Sequence, residues 1–195
     1  MTAFSLTARM LVTTDAIVLS LQPQSDKAHL LHAYTREGGR VNYKVYGLGR
    51  KNTAGKYSPL SVVQLTTDEH SVRTAQLTYV PTTLITDPYK RTIALFMSEV
   101  LYHVLRHPMP DEPMYEFIAQ AIEELDQTDE PQNFHLSFLI DFAEKLGFKM
   151  EHEPALPTTR SERQKQLQAL CKYFDEHVET WQNPRSLDVL MEVFD

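Results

Sequence analysis

A chain of 195 residues with 42% hydrophobic and 23% charged residues is long enough for one large domain or two small ones, each burying a core. Its single cysteine, Cys171, excludes a disulfide framework and a multi-cysteine zinc site, and points to a reducing compartment. The net charge of −7 argues against a nucleic-acid partner until its distribution is read: nine Lys and Arg stand against six Asp and Glu up to Asp87, and ten against twenty from Pro88 onward. This is the pattern of a basic working part on an acidic scaffold. No apolar run reaches the length of a membrane span, and the first residues lack the basic-then-apolar pattern of a leader, so the expectation is a cytoplasmic protein with no membrane partner.

Residues 1–14 carry no clear pattern. AIVLSLQ, from Ala16, is a continuous apolar run of strand length that Pro23 and a polar turn should end. AHLLHAYT, from Ala28, is a second strand, ended by REGG. RVNYKVYG, from Arg40, is the third. LSVVQLTT and VRTAQLTYV, separated by Asp68, Glu69 and His70, make the fourth and fifth. Five short strands with no helical pattern between them predict a small barrel over residues 1–80, most simply an OB-fold, which binds single strands across one face and its loops.

Within this region the stretch from Arg36 to Ser61 concentrates the features of a binding surface. It holds five of the chain's six glycines and the cations Arg36, Arg40, Lys44, Arg50, Lys51 and Lys56, with Glu37 as its only acid. Strand alternation sends Val41, Tyr43 and Val45 to one side and Arg40, Asn42, Lys44 and Tyr46 to the other. A cationic strand face with an exposed aromatic, leading into a glycine-loosened basic loop, suits a phosphate backbone and its stacked bases. A solvated strand edge with a hairpin accounts for the same residues equally well.

From Pro88 the periodicity is helical, and residues 81–195 are expected to form an α-helical domain. Ile93, Phe96, Met97, Val100, Leu101, Val104 and Leu105 form one stripe, leaving Ser98, Glu99, Tyr102, His103 and Arg106 opposite. Met114, Phe117, Ile118, Ala121, Ile122 and Leu125 form the next. A third helix should open at Asn133 as N-cap and close at Gly147. KMEHEPALPTT reads as a linker before a fourth helix carrying Leu167, Leu170, Cys171, Phe174, Val178 and Trp181, and Ser186 should cap a fifth. Cys171 and Trp181 read as core packing.

Nothing in the chain spells catalysis. His103 and His107 fall four apart, a spacing that can hold a metal, but no third ligand stands in a telling position, and Glu151, His152 and Glu153 fall in the linker. Phosphate-loop, nucleophile-elbow and dinucleotide fingerprints are missing from the sequence. The expectation is therefore a protein that is not an enzyme and needs no cofactor or metal.

The segment DAIVLSLQPQSDKAHLLHAYTREGGRVNYKVYGLGRKN resembles the N-terminal OB-fold region of the RecO family. IALFMSEVLYHVLR, MYEFIAQAIEELD and NFHLSFLIDFAEKLGF resemble that family's helical domain, and SLDVLMEVF its last helix. The resemblance implies an α+β chain, an OB-fold barrel followed by helices, that acts in DNA repair and homologous recombination. It implies binding to single- and double-stranded DNA, action with RecR and with the C-terminal tail of the single-strand-binding protein, loading of RecA, strand annealing, and a cytoplasmic, nucleoid-associated location. Arg36, Arg40, Lys44, Arg50, Lys51 and Lys56 match the family's basic strand and loop. Tyr46 stands where the family often has lysine, which replaces phosphate attraction with a ring that can stack on a base. The chain is also shorter after Gly147 than the family usually is. A RecO-like protein-interaction scaffold with little DNA affinity of its own is the alternative.

Overall fold

The run at Ala16 is continuously apolar because both of its faces are covered. In a computed structural model, which describes residues 10–48, 54–148 and 155–193, this run forms the middle of β1 (Val12–Ser25). It is joined by β2 (Ala28–Thr35), β3 (Gly39–Tyr46), β4 (Val62–Thr67) and β5 (Val72–Tyr79) in one antiparallel sheet of order β3-β2-β1-β4-β5. Ala16 and Val18 point inward with Leu31, Ala33, Val45, Tyr57, Val63 and Leu65. Ile17 and Leu19 point outward into the helices. The sheet curls without closing: its edges meet at one parallel bridge, Lys44 to Ser71, and Lys44 N–H donates to the His70 carbonyl at 2.8 Å. This is the partly open five-stranded arrangement of an OB-like barrel, followed by helices, as the α+β reading expects.

β1 runs past Pro23, which was expected to end it. Beyond Ile17 it no longer pairs with β4, so the missing N–H of Pro23 deserts no ladder partner on that side. The helices among the described residues are α1 (Thr82–Thr86), α2 (Pro88–Val104), α3 (Glu112–Gln127), α4 (Phe134–Lys145), α5 (Arg160–His177) and α6 (Leu187–Val193). That is one more than the periodicity predicts, because α1 is too short to show a period. Asp87 caps α2 by accepting from the N–H groups of Tyr89 and Lys90, with Pro88 at the first helical position. Gly147, at φ +88°, ends α4 as expected, with Phe148 N–H reaching back to the Ala143 carbonyl at 2.9 Å.

Asn133 makes no side-chain cap; it closes a short 3-10 turn, and its amide donates to the Pro157 carbonyl at 3.0 Å, tying the start of α4 to the segment before α5. Ser186 stands just before α6, its carbonyl accepting from Leu190 N–H at 2.8 Å, and gives both its own N–H and hydroxyl to Glu99 on α2, at 2.9 and 2.8 Å. The cap that was overlooked is Thr159 with Glu162, a reciprocal capping box opening α5.

One apolar cluster joins sheet and helices. Phe96, Met97, Val100 and Leu101 of α2 share one cluster with Ile17, Leu19 and Tyr34 of the sheet, and α2 packs on α3, α4 and α6. Phe138, Phe142 and Phe174 stack in succession with centroids 5.6 and 6.1 Å apart, and Trp181 lies 4.9 Å from Phe174. Cys171 is buried here as expected, and burial pushes its thiol up to about 12, which leaves it unreactive. Ser98, expected on the solvent face, is 1% exposed because its hydroxyl donates to the Leu19 carbonyl of β1.

The passage from sheet to helices is held by Asp126 at the end of α3. Its carboxylate accepts from Tyr79 Oη at 2.8 Å and from the backbone and hydroxyl of Thr83, while buried Lys90 donates to its carbonyl at 2.7 Å. Burial pulls the Asp126 pKa upward, but these donors outweigh it and hold the group below the ordinary carboxylate value.

Two expected outcomes test this packing. Gly39 sits at φ +62°, and a Cβ there would lie 2.1 Å from the Met109 carbonyl oxygen, where the segment after α2 crosses β3. Gly39→Ala should therefore destabilise the protein by about 2 kcal/mol or more in urea unfolding; an unshifted midpoint would contradict this crossing. His135 on α4 is 2% exposed, and burial first, then Arg163, lowers its pKa to about 3. The unfolded chain takes up a proton near pH 6.5 that the folded chain refuses, so stability should fall between pH 6.5 and about 3. His135→Gln should flatten that part of the stability profile, and an unchanged acid limb would show that His135 does not generate it.

Candidate nucleic-acid interface

β3 alternates as predicted. Val41, Tyr43 and Val45 join the barrel interior, while Arg40, Asn42, Lys44 and Tyr46 share the outer face at steps of about 7 Å. Tertiary packing then divides that face. Its first half lies under the C-terminal end of α2, and its second half is open.

Arg40 belongs to the covered half. Its Nη1 donates to the carbonyls of Tyr102 and Leu105 at 3.0 and 3.3 Å, and its guanidinium lies 4.5 Å over the Tyr102 ring. A cation against the last carbonyls of a helix is favourable, since these are the negative end of its dipole. Arg36, in the turn before β3, faces α3 instead: it pairs with Glu112 at 3.1 Å and with Glu116, and covers the Tyr115 ring at 4.5 Å. Both arginines thus clamp the barrel to its own helices. The sequence had no means of showing this engagement, in which the acidic part of the chain folds back onto the basic part.

Lys44 and Tyr46 occupy the open half, Tyr46 at 55% exposure. The β4–β5 turn stands beside Lys44 through the His70 hydrogen bond. Asp68 organises that turn by accepting from the N–H groups of His70 and Ser71 and from Arg73; led by the His70 bond, these donors lower its pKa to about 2. Lys56 lies on a 3-10 turn, Ala54–Tyr57, and donates to the Ala75 carbonyl of β5 at 2.9 Å. Arg50 and Lys51 lie outside the described residues, as do Glu151, His152 and Glu153. Of the seven sequence-selected residues, then, the structure brings Lys44 and Tyr46 together on an open face and commits Arg36, Arg40 and Lys56 to intramolecular contacts.

Sequence reasoning passed over the covered half. His32 of β2 pairs in register with Asn42, its Nδ1 2.6 Å from Asn42 Oδ1. With Arg40, His103, Arg106 and Gln182, these two line a cleft of about 420 Å3 between sheet and α2. The signal available was the alternation that puts His32 on the outer face of its strand and His103 on the polar face of its helix; the pairing of the two elements was not available. His107 lies past the end of α2 at Val104, so the spacing of His103 and His107 does not place them on one helical face. Among the described residues no group of three His, Cys, Asp or Glu is arranged to hold a metal, and no helix is long and apolar enough to cross a membrane.

The family model for the C-terminal part of recombination protein O matches residues 85–153. The DNA repair protein RecO of Porphyromonas gingivalis is 33% identical over 150 residues, and that of Phocaeicola vulgatus 34% over 148. The chain belongs to the RecO family. Both alignments take in 71% of this chain, which spans 61% of the length of each of these RecO relatives. The RecO of Flavobacterium johnsoniae aligns over its whole length at 26% identity, across 236 positions and 95% of this chain. Since 236 positions exceed the 195 residues present here, that RecO protein carries internal stretches with no counterpart in this chain.

The clamp has a direct test. Arg36→Ala should lower stability by about 1 to 2 kcal/mol through loss of its ion pairs and its contact with Tyr115. It should leave the salt dependence of any DNA binding unchanged, and a flatter salt dependence would return Arg36 to the interface.

Proposed function

We propose that this chain binds DNA in recombinational repair, through the open half of the outer face of β3, and does so without catalysis. The observation that supports the reading best is the pair Lys44 and Tyr46, exposed beside the β4–β5 turn. One supplies a phosphate contact and the other a stacking surface, on the face and loop that OB-folds use for single strands. The names of the RecO relatives, DNA repair proteins, point the same way. On this reading the chain acts as a mediator: it binds single- and double-stranded DNA, works with RecR and the single-strand-binding protein to load RecA, and anneals strands in the nucleoid. Arg50 and Lys51 would add phosphate contacts, as would Lys56, whose ammonium has donors beyond the one given to the Ala75 carbonyl.

A second reading, a RecO-like interaction scaffold with little DNA affinity, draws support from Arg36 and Arg40, whose charge is spent on the protein's own helices. Its partner surface would be the groove between α3 and α4, where half-buried Phe117 and Phe134 and the edge of buried Phe138 line a concavity of about 320 Å3. Glu124, Asp141 and Glu144 outnumber Lys145 around it, so its charge suits a basic segment better than the acidic tail of the single-strand-binding protein.

Salt-titrated binding to oligothymidylate separates the readings. Lys44→Ala should reduce the log-log slope by about 0.7, the contribution of one neutralised phosphate on a single strand. Tyr46→Ala should weaken binding by about 1 to 3 kcal/mol at nearly constant slope. Arg50→Ala with Lys51→Ala should flatten the slope further and weaken all sequences alike. Binding indifferent to all of these, or no binding at low salt, leaves the scaffold.

A further inference from the structure

Three buried nitrogens on separate elements lack a hydrogen-bond partner and belong to residues that line one cleft: His32 Nε2 on β2, Arg40 Nε on β3 and His103 Nδ1 on α2. A buried polar atom left unpaired is costly, and three around a single opening call for a shared ligand. His32 is itself only 6% exposed. Arg106 stands at the rim, its Nε held by the His103 carbonyl at 2.9 Å and its remaining donors available to the cleft. Among the described residues no carboxylate lines the opening. Glu99, the acid that acts on His103, is already occupied by the N–H and hydroxyl of Ser186.

We propose that this cleft between β3 and the end of α2 binds a phosphate group. Converging guanidinium and imidazole donors without a competing acid are the chemistry of an oxyanion site, and 420 Å3 accommodates a phosphate with part of the molecule carrying it. The cleft lies on the same strand face as Lys44 and Tyr46, two and four residues beyond Asn42. A strand of DNA lying along β3 would therefore place one backbone phosphate in the cleft while a base meets Tyr46. That source for the phosphate rests on the function proposed above; a free phosphate or nucleotide is the other source of the same chemistry.

The site also carries a proton linkage. With Nδ1–H directed at Asn42 Oδ1, neutral His32 presents a lone pair at Nε2 and becomes a second donor there only on protonation. Burial chiefly lowers the pKa of both imidazoles. Arg40 from β3 lowers both further, and Arg106 and Arg185 from the helical side lower that of His103, while Asn42 and Glu99 work in the opposite sense. An arriving anion offsets the guanidinium charge and favours the protonated rings, so binding takes up protons and strengthens as pH falls toward 6.

The test uses the full chain and nitrogen-resolved NMR of its histidines. Inorganic phosphate at millimolar concentration, and sulfate, whose charge is constant over this pH range, should shift the rings of His32 and His103 but not that of His135. Sulfate affinity should rise from pH 8 to pH 6. Arg106→Ala, a change at an exposed rim position, should weaken phosphate binding about tenfold, the loss of one charge-assisted contact, with an unchanged unfolding midpoint. His103→Gln should abolish the pH dependence contributed by that ring. If Arg106→Ala also lowers the oligothymidylate salt slope, additively with Lys44→Ala, the phosphate comes from the DNA backbone; loss of phosphate binding with unaltered DNA binding assigns the cleft to a free phosphate. Rings that ignore both anions overturn the proposal even where Lys44 and Tyr46 still govern DNA binding. An acidic peptide that shifts them where phosphate does not overturns it as well, making the cleft a carboxylate site.

Discussion

The structure depends on β1 being buried on both faces. Ala16 and Val18 fill the barrel, while Ile17 and Leu19 enter the helical core with Phe96, Met97 and Val100. Barrel and helices share these residues, so neither core is complete without the same strand, and unfolding either exposes apolar surface of the other. The hydroxyl of Ser98 on the Leu19 carbonyl adds a polar tie at the point of closest contact, where an unpaired group would be costly.

Docking on β1 decides what happens to β3. With α2 fixed over the outer face of the sheet, its C-terminal end overhangs the first half of β3 and leaves the second half to solvent. One strand face, uniform in sequence, becomes two surfaces of different chemistry: a cationic cleft roofed by a helix end, and an open lysine and tyrosine. The segment leaving α2 presses so closely on β3 that only glycine fits at position 39.

The charge asymmetry of the chain acquires a structural meaning from the same docking. Glu112 and Glu116 on α3 take up Arg36, and the carbonyls ending α2 take up Arg40. Part of the acid in the helices thus neutralises part of the base in the barrel, and the net charge of −7 says little about the field over the open half of β3. The carboxylates Glu124, Asp141 and Glu144 line the α3–α4 groove, a different surface.

Strand identity, helix stripes, the division of β3 into inward and outward residues, the Gly147 cap and the burial of Cys171 and Trp181 were legible in the sequence, because each follows from a period of two or 3.6 residues or from a local backbone requirement. So was the family, which rests on the order of such patterns along the chain. The short α1 and the true partners of Asn133 and Ser186 were not, since a single turn has no period and a side chain's choice among distant acceptors is not a local matter. The same limit applied to the site. Composition could select Arg36, Arg40, Lys44, Tyr46 and Lys56 as cationic or aromatic, but whether a guanidinium meets phosphate or its own helix depends on which element packs above it. Only the tertiary structure could hand Arg36 and Arg40 to the helices and bring His32, 71 positions away in sequence, to His103, because charge, unlike hydrophobic periodicity, carries no record along the chain of what it will face.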